Sequence, residues 1–178
     1  MIIMNNRFKF TLKAWPVIAI ATIALCFLTE ACAGWLGIEL PEQKNVELVR
    51  LIFKDALQSW RHFGVCAFNL ALIVAILPFV EEGIFRWGFF KMVLLGKLGL
   101  ERPTSLILAA ALESSVLFSA AHYISQPWPD NAFIALFFFG LAQCWLYRRT
   151  ESLWCTVLNH ALFNLTNLIL LLILPTQV

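Results

Sequence analysis

Long apolar runs separated by short polar stretches make up most of the chain. The runs cover residues 15–35, 62–91, 104–123, 131–147 and 152–174. Most of these runs are near the roughly 20 apolar residues that one α-helix needs to cross a bilayer. Gly, Pro, Asp and Arg residues lie in the stretches between the later runs, as expected of turns. The pattern predicts an all-α protein, a polytopic transmembrane helical bundle of five spans.

The run at residues 62–91 is longer than one span requires and contains Pro78. As one long helix kinked at this proline, it gives five spans, and a break there gives a six-span alternative that stays open. With five spans, the basic residues at 7–13, 91–102 and 148–149 all lie on one side. Because Lys and Arg concentrate in cytoplasmic loops, this arrangement predicts a cytoplasmic N-terminus.

Two further segments have a distinct character. In residues 39–61 charged residues are interleaved with apolar residues that recur at helical spacing. This pattern predicts an amphipathic helix lying at the membrane interface. Basic residues precede the first apolar run, as in a signal peptide, but residues 15–35 form too long a run for one. We therefore expect a retained first span and a single integral membrane domain over residues 1–178.

The composition excludes several classes of protein. Hydrophobic residues make up 61% of the chain and charged residues 13%, against about 45–50% and about 25% in soluble domains. A net charge of +2 offers no basic surface for a phosphate backbone, so no nucleic acid partner is expected. The five cysteines are odd in number and never spaced C-x-x-C, so neither a disulfide framework nor a thiolate metal site is predicted.

Ionisable residues inside a span are costly, and they are therefore candidates for function. Glu81, Glu82 and Arg86 form the first such group. On a helix Glu82 and Arg86 are neighbours at i and i+4, where an ion pair neutralises both charges. Glu81 points about 100° away and has no partner on that helix, which makes it a candidate general base. A buried structural ion pair with one additional acid is the alternative interpretation.

Two histidines lie in other apolar runs. His122 follows Phe118 by four residues, and His160 begins a polar stripe with Asn164 and Asn167 at i, i+4 and i+7. A carboxylate and a histidine can position and deprotonate water, while a second histidine and an asparagine can stabilise the oxyanion that forms on an amide carbonyl. Interhelical hydrogen bonding is the alternative role for each of these polar residues.

The patterns Glu-Glu-x-x-x-Arg, Phe-x-x-x-His and His-x-x-x-Asn, in this order, resemble the three motifs of the CPBP family. This family comprises CAAX proteases and bacteriocin-processing enzymes, which are glutamic-type, metal-independent intramembrane endopeptidases. The resemblance spans residues 78–167, the expected catalytic core. It implies that Glu81 activates water with help from His122. The resemblance further implies the roles of five other residues. His160 and Asn164 would form an oxyanion hole, Glu82 and Arg86 would support it, and Phe118 would pack beside His122.

By the same resemblance, we expect a small protein of the bacterial inner membrane. The expected substrate is a membrane-embedded peptide or protein, such as a C-terminal sorting or leader segment, and no cofactor is expected. Two alternatives stay open. Glu81, His122 and His160 could ligate zinc in a metalloprotease, or the chain could be a non-enzymatic carrier or immunity protein that uses Glu30 and Glu113 as further intramembrane acids.

One expectation conflicts with the five-span arrangement. Counted from the cytoplasmic ends of their helices, Glu81 and His160 lie at similar depths, roughly 15 and 17 Å. His122, by contrast, is about 27 Å beyond Thr104. Either residues 100–110 run along the inner interface, or the connection after His122 dips into the membrane.

Overall fold

The chain folds into a bundle of helices. The computed structural model describes residues 2–40, 51, 54, 59–95, 104–124 and 132–173. Within these ranges there is no strand, as the predicted all-α fold requires. The elements are α1 (Ile2–Trp35), α2 (Trp60–Ala71), a π-helical stretch π1 (Leu72–Ile76), α3 (Leu77–Glu82), a second π-helical stretch π2 (Gly83–Leu95), α4 (Thr104–Ala121), a 3₁₀ turn (His122–Ile124), α5 (Ala132–Thr150) and α6 (Leu153–Ile173).

Four helical segments in the described part of the chain are long and apolar enough to cross a membrane. They are Asn6–Trp35, Trp60–Lys91, Thr104–Ala121 and Leu153–Ile173. Large apolar side chains cover their outer faces, such as Val17, Phe27 and Ile173, each at least 60% exposed. A soluble monomer rarely exposes so continuous an apolar surface. The chain is therefore an integral membrane protein, and α5 is the fifth long helix of the bundle.

Helix α1 begins well before the first predicted span. It starts at Ile2 rather than near residue 15. Phe10 packs against Trp145 of α5, with ring centroids 5.6 Å apart, and Arg7 lies 3.7 Å from Glu151 in the turn between α5 and α6. These contacts place the start of α1 and the α5–α6 turn at the same end of the bundle.

The second long segment runs without interruption through Pro78. Its backbone is helical from Trp60 to Leu95, as α2, π1, α3 and π2 in succession. The six-span alternative required a break at this proline, and the structure does not show one. Widened π-turns accommodate the proline instead, and such turns are common at functional sites.

Helix α4 packs antiparallel to π2. The Ser114 hydroxyl donates to the Phe85 carbonyl at 2.9 Å, and Phe90 clusters with Ala110 one turn earlier on α4. Glu82 is therefore level with Phe118. This register removes the conflict between the predicted depths, because π2 continues past Lys91 to Leu95 and Glu81 therefore lies farther from the end of its helical segment than the sequence predicted.

Helix α5 occupies the centre of the bundle. Its closest approach is to α4, where a Cβ added at Gly140 would lie 3.0 Å from the Cβ of Ser115. Small residues allow this separation, as is usual between membrane helices. The core cluster beside this contact consists of Ile18, Ala19, Phe118, Phe139 and Phe163.

The predicted amphipathic helix at 39–61 lies largely outside the described residues. Only residues 39, 40, 51, 54 and 59–61 of this segment are described. From Trp60 onward the chain already belongs to α2, and the Ser59 side chain caps its N-terminus by accepting from the His62 backbone N–H.

Candidate active site

The paired carboxylates lie on α3, between the two π-helical stretches. The Nε atom of Arg86 is 3.4 Å from Oε2 of Glu82, and both side chains are fully buried. The ion pair predicted from the i, i+4 spacing is therefore present. Arg86 also donates to Ser114 at 3.3 Å, and its guanidinium carbon lies 4.8 Å from the centre of the Phe118 ring. These contacts hold the arginine in place inside apolar helices.

His160 lies between the two carboxylates. Its Nδ1 is 2.9 Å from Oε1 of Glu82, and its Nε2 is 3.5 Å from Oε2 of Glu81. Glu81 retains 25% side-chain exposure, whereas Glu82 has none. Glu82 therefore orients the imidazole, and Glu81 is the carboxylate that a small molecule in the site could reach.

Aromatic rings surround this polar group. Phe139 and Phe118 lie 5.1 and 5.9 Å from the His160 ring, centroid to centroid. Phe163 stacks on Phe139 at 4.5 Å. In such a setting of low local polarity, hydrogen bonds and charges interact more strongly than in water.

His122 joins the site through Phe118. Its ring lies 4.8 Å from the Phe118 ring, and its Nδ1 is 2.9 Å from the Phe118 carbonyl oxygen. The carbonyl can only accept, so Nδ1 carries the hydrogen and Nε2 of the neutral ring is left as an acceptor. The structure thus places His122 one aromatic ring away from His160, and its polar contact among the described residues is with backbone.

Asn164 lies one turn beyond His160 and faces a different group. Its Nδ2 donates to the Ile73 carbonyl of π1 at 2.9 Å. Asn167, the third member of the predicted stripe, is exposed. The structure therefore brings Glu81, Glu82 and His160 into direct contact, holds His122 beside Phe118, and ties Asn164 to the backbone of the second segment.

A buried amide pair beside the site was missed by the sequence analysis. Gln143 donates to Asn159 at 3.2 Å, and both side chains are fully buried. This bond joins α5 to α6 immediately before His160. Between residues 132 and 146, Gln143 is the one residue with an amide or charged side chain. This isolated polar position was the signal from which Gln143 could have been predicted as a candidate residue. Phe139, one of three successive phenylalanines, carried no such signal.

Two structural observations concern the alternative interpretations. No group of three His, Cys, Asp or Glu side chains in the described ranges could hold a metal ion. Glu30 and Glu113, the additional acids that a carrier would need, lie exposed on the outside of the bundle.

The chain was compared with known protein families, curated proteins and solved structures. A family model described as type II CAAX prenyl endopeptidase Rce1-like matches residues 63–166. The matched range is more than half of the chain and contains all of the motif residues from Glu81 to Asn164. It leaves out α1, which packs against the core of the matched part. No curated protein and no solved structure matches the chain.

Proposed function

Because the chain belongs to the Rce1-like proteins of the CPBP family, which are membrane CAAX proteases, we propose that it is a glutamic-type intramembrane endopeptidase. In this proposal Glu81 and His122 activate water, and His160 and Asn164 form the oxyanion hole. The observation that carries the proposal is the position of His160. One imidazole lies 3.5 Å from Glu81 and 2.9 Å from Glu82, within a bundle of largely apolar helices.

Glu81 acts as the general base. It takes one proton from water while the water oxygen forms a bond to the carbonyl carbon of the scissile peptide. The tetrahedral intermediate then collapses, the C–N bond breaks, and the proton passes from Glu81 to the leaving amine. His122 assists through its acceptor Nε2, which is available because Nδ1 donates to the Phe118 carbonyl.

His160 donates to the oxyanion through Nε2. Since its Nδ1 already faces the Glu82 carboxylate, this role requires a hydrogen on both nitrogens. The carboxylates on either side supply the counter-charge for that form, and Arg86 holds Glu82 in place. Glu82 and Arg86 therefore support the oxyanion hole without touching substrate.

The residues around the site indicate the kind of substrate it would bind. CAAX proteases act on membrane-associated peptides, and the wall of phenylalanines around His160 favours an apolar segment. We propose a C-terminal sorting or leader segment of a membrane protein. We further propose that the chain resides in the bacterial inner membrane with its N-terminus in the cytoplasm. The contact of Arg7 with Glu151 supports this orientation, because it groups the basic residues at 7–13 with Arg148 and Arg149.

A comparison of protein termini tests the proposal. Membranes from cells that produce the wild-type chain, the Glu81→Ala variant or the Glu113→Ala variant are compared for newly formed termini. We expect new termini with the wild type and with Glu113→Ala, whose carboxylate is exposed outside the site, and none with Glu81→Ala. If all three samples show the same termini, the chain is not the proposed protease.

A further inference from the structure

The carbonyl group of Ile73 loses the backbone donor of its π-helical register because residue 78 is proline. In π1 a carbonyl accepts from the N–H five residues later, as the Leu72 carbonyl does from the Leu77 N–H. The next pair in this register joins Ile73 to Pro78. Proline has no backbone N–H, so the Ile73 carbonyl is left without its helical donor.

The Asn164 side chain supplies the missing hydrogen bond. Its Nδ2 lies 2.9 Å from the Ile73 carbonyl oxygen, although the two residues are 91 positions apart. A carbonyl left unsatisfied inside a bilayer is costly, and side chains of neighbouring helices commonly satisfy those that a proline frees. The bond therefore fixes α6 to the second long segment at the level of Pro78.

We propose that Pro78 is a positioning residue for Asn164 and, through it, for the oxyanion hole. The catalytic part of this inference rests on the proposed function. A carboxamide nitrogen carries two hydrogens. One is donated to the Ile73 carbonyl, which sets the plane of the amide, and the other is left for the oxyanion of the substrate.

Pro78 has this effect because of where it lies. It precedes Glu81 by three residues on the same helix, α3. The residue that leaves the Ile73 carbonyl open to Asn164 therefore also belongs to the turn that carries the general base. Any other residue at position 78 would bring an N–H that competes with the Asn164 amide for the same oxygen.

A double-mutant cycle on thermal unfolding tests the hydrogen bond. The wild-type chain, Asn164→Ala, Pro78→Ala and the double variant are compared in lipid nanodiscs. With proline present, we expect the melting temperature to fall by about 2–4 °C, as for the loss of one buried hydrogen bond. With alanine at 78 the fall should nearly vanish, because the new N–H takes the carbonyl. Equal falls in both backgrounds would overturn the inference.

A second measurement does not depend on Pro78→Ala folding. Wild-type and Asn164→Ala protein are prepared with ¹³C at the isoleucine carbonyl carbons and compared by infrared spectroscopy. We expect the stretch of one carbonyl to move to higher frequency in Asn164→Ala, because it has lost a hydrogen bond. Identical labelled bands would show that Asn164 does not bind Ile73.

The proposed effect of Pro78 on catalysis is tested by measuring kcat and KM for a substrate that the protein cleaves. We expect Pro78→Ala to lower kcat about tenfold and to leave KM unchanged, because the amide acts on the oxyanion and not on the bound peptide. Pro16→Ala is the matched control, since Pro16 lies inside α1, and it should change neither constant. A change confined to KM would contradict a positioning role. Cleavage by the Glu81→Ala variant would rule out the proposed function. It would not change the interpretation of the double-mutant cycle on thermal unfolding.

Discussion

Nδ1 of His160 lies 2.9 Å from Oε1 of Glu82, although the two residues are 78 positions apart along the chain. The second oxygen of the same carboxylate faces Arg86 at 3.4 Å. One buried carboxylate thus binds a histidine from α6 and a guanidinium from its own segment. Its removal would leave two buried groups without their partner, so Glu82 contributes to folding as well as to the orientation of the imidazole.

We expect Glu82→Ala to reduce the free energy of unfolding by about 3–5 kcal/mol, the usual cost of stranding one member of a buried ion pair. Arg86→Ala should reduce the free energy of unfolding by a similar amount. The fraction of protein that elutes as a single species after detergent extraction measures the effect. The matched control is Glu113→Ala, which removes an exposed carboxylate. The expectation fails if Glu82→Ala and Glu113→Ala give equal amounts of folded protein.

His160→Ala and Asn164→Ala should each lower turnover by about 10²- to 10³-fold, as the loss of one oxyanion donor does in other hydrolases. The measurement is kcat on the identified substrate in proteoliposomes. Asn167→Ala is the control for the asparagine, because Asn167 lies on the same helix and is exposed. Turnover in Asn164→Ala equal to that in Asn167→Ala would remove Asn164 from the oxyanion hole.

Gly140→Val should destabilise the bundle by about 1–3 kcal/mol, the range for overpacking a well-packed interior. A Cβ at Gly140 would already meet the Ser115 side chain at 3.0 Å, so the two further methyl groups of valine require α4 and α5 to separate. Thermal unfolding in detergent measures the change. Gly64→Ala is the comparison, since its added Cβ meets nothing within 4 Å. Equal melting temperatures for the two variants would contradict the close packing.

Exhaustive chelation should leave the cleavage rate unchanged. In the proposed mechanism Glu81 takes the proton from water with the help of His122, whose Nδ1 is directed at a backbone carbonyl, so the step needs no metal ion. The rate is measured before and after chelation, together with the metal content of the purified protein. Loss of activity that returns on addition of zinc would show a metalloprotease instead.

The sequence predicted the features that depend on neighbours along the chain. The apolar runs predicted the helices, and the four-residue spacing of Glu82 and Arg86 predicted their ion pair. The three motifs predicted the family. Each of these depends on one helix at a time, or on residue types in a set order, which a single sequence displays directly.

The relations between helices could not be predicted in this way. Nothing in the sequence shows that Asn164 turns to the Ile73 carbonyl, because that contact depends on the π-turn before Pro78 and on the rotation of α6. The Gln143–Asn159 bond likewise requires the register of two helices. The distance of Glu81 from the end of its helical segment was underestimated for a related reason. The segment continues through π2 to Leu95, past the charged Lys91 at which the sequence analysis ended it.

The most direct test of the account is the rate of peptide-bond cleavage by Glu81→Gln in proteoliposomes, with the substrate found by the comparison of termini. Glutamine keeps the size and shape of the side chain but cannot accept the proton of water. We expect the rate to fall by about 10²- to 10⁴-fold, the usual contribution of a general base, while the melting temperature stays close to that of the wild type. Full activity in Glu81→Gln would contradict the assignment of Glu81 as the base.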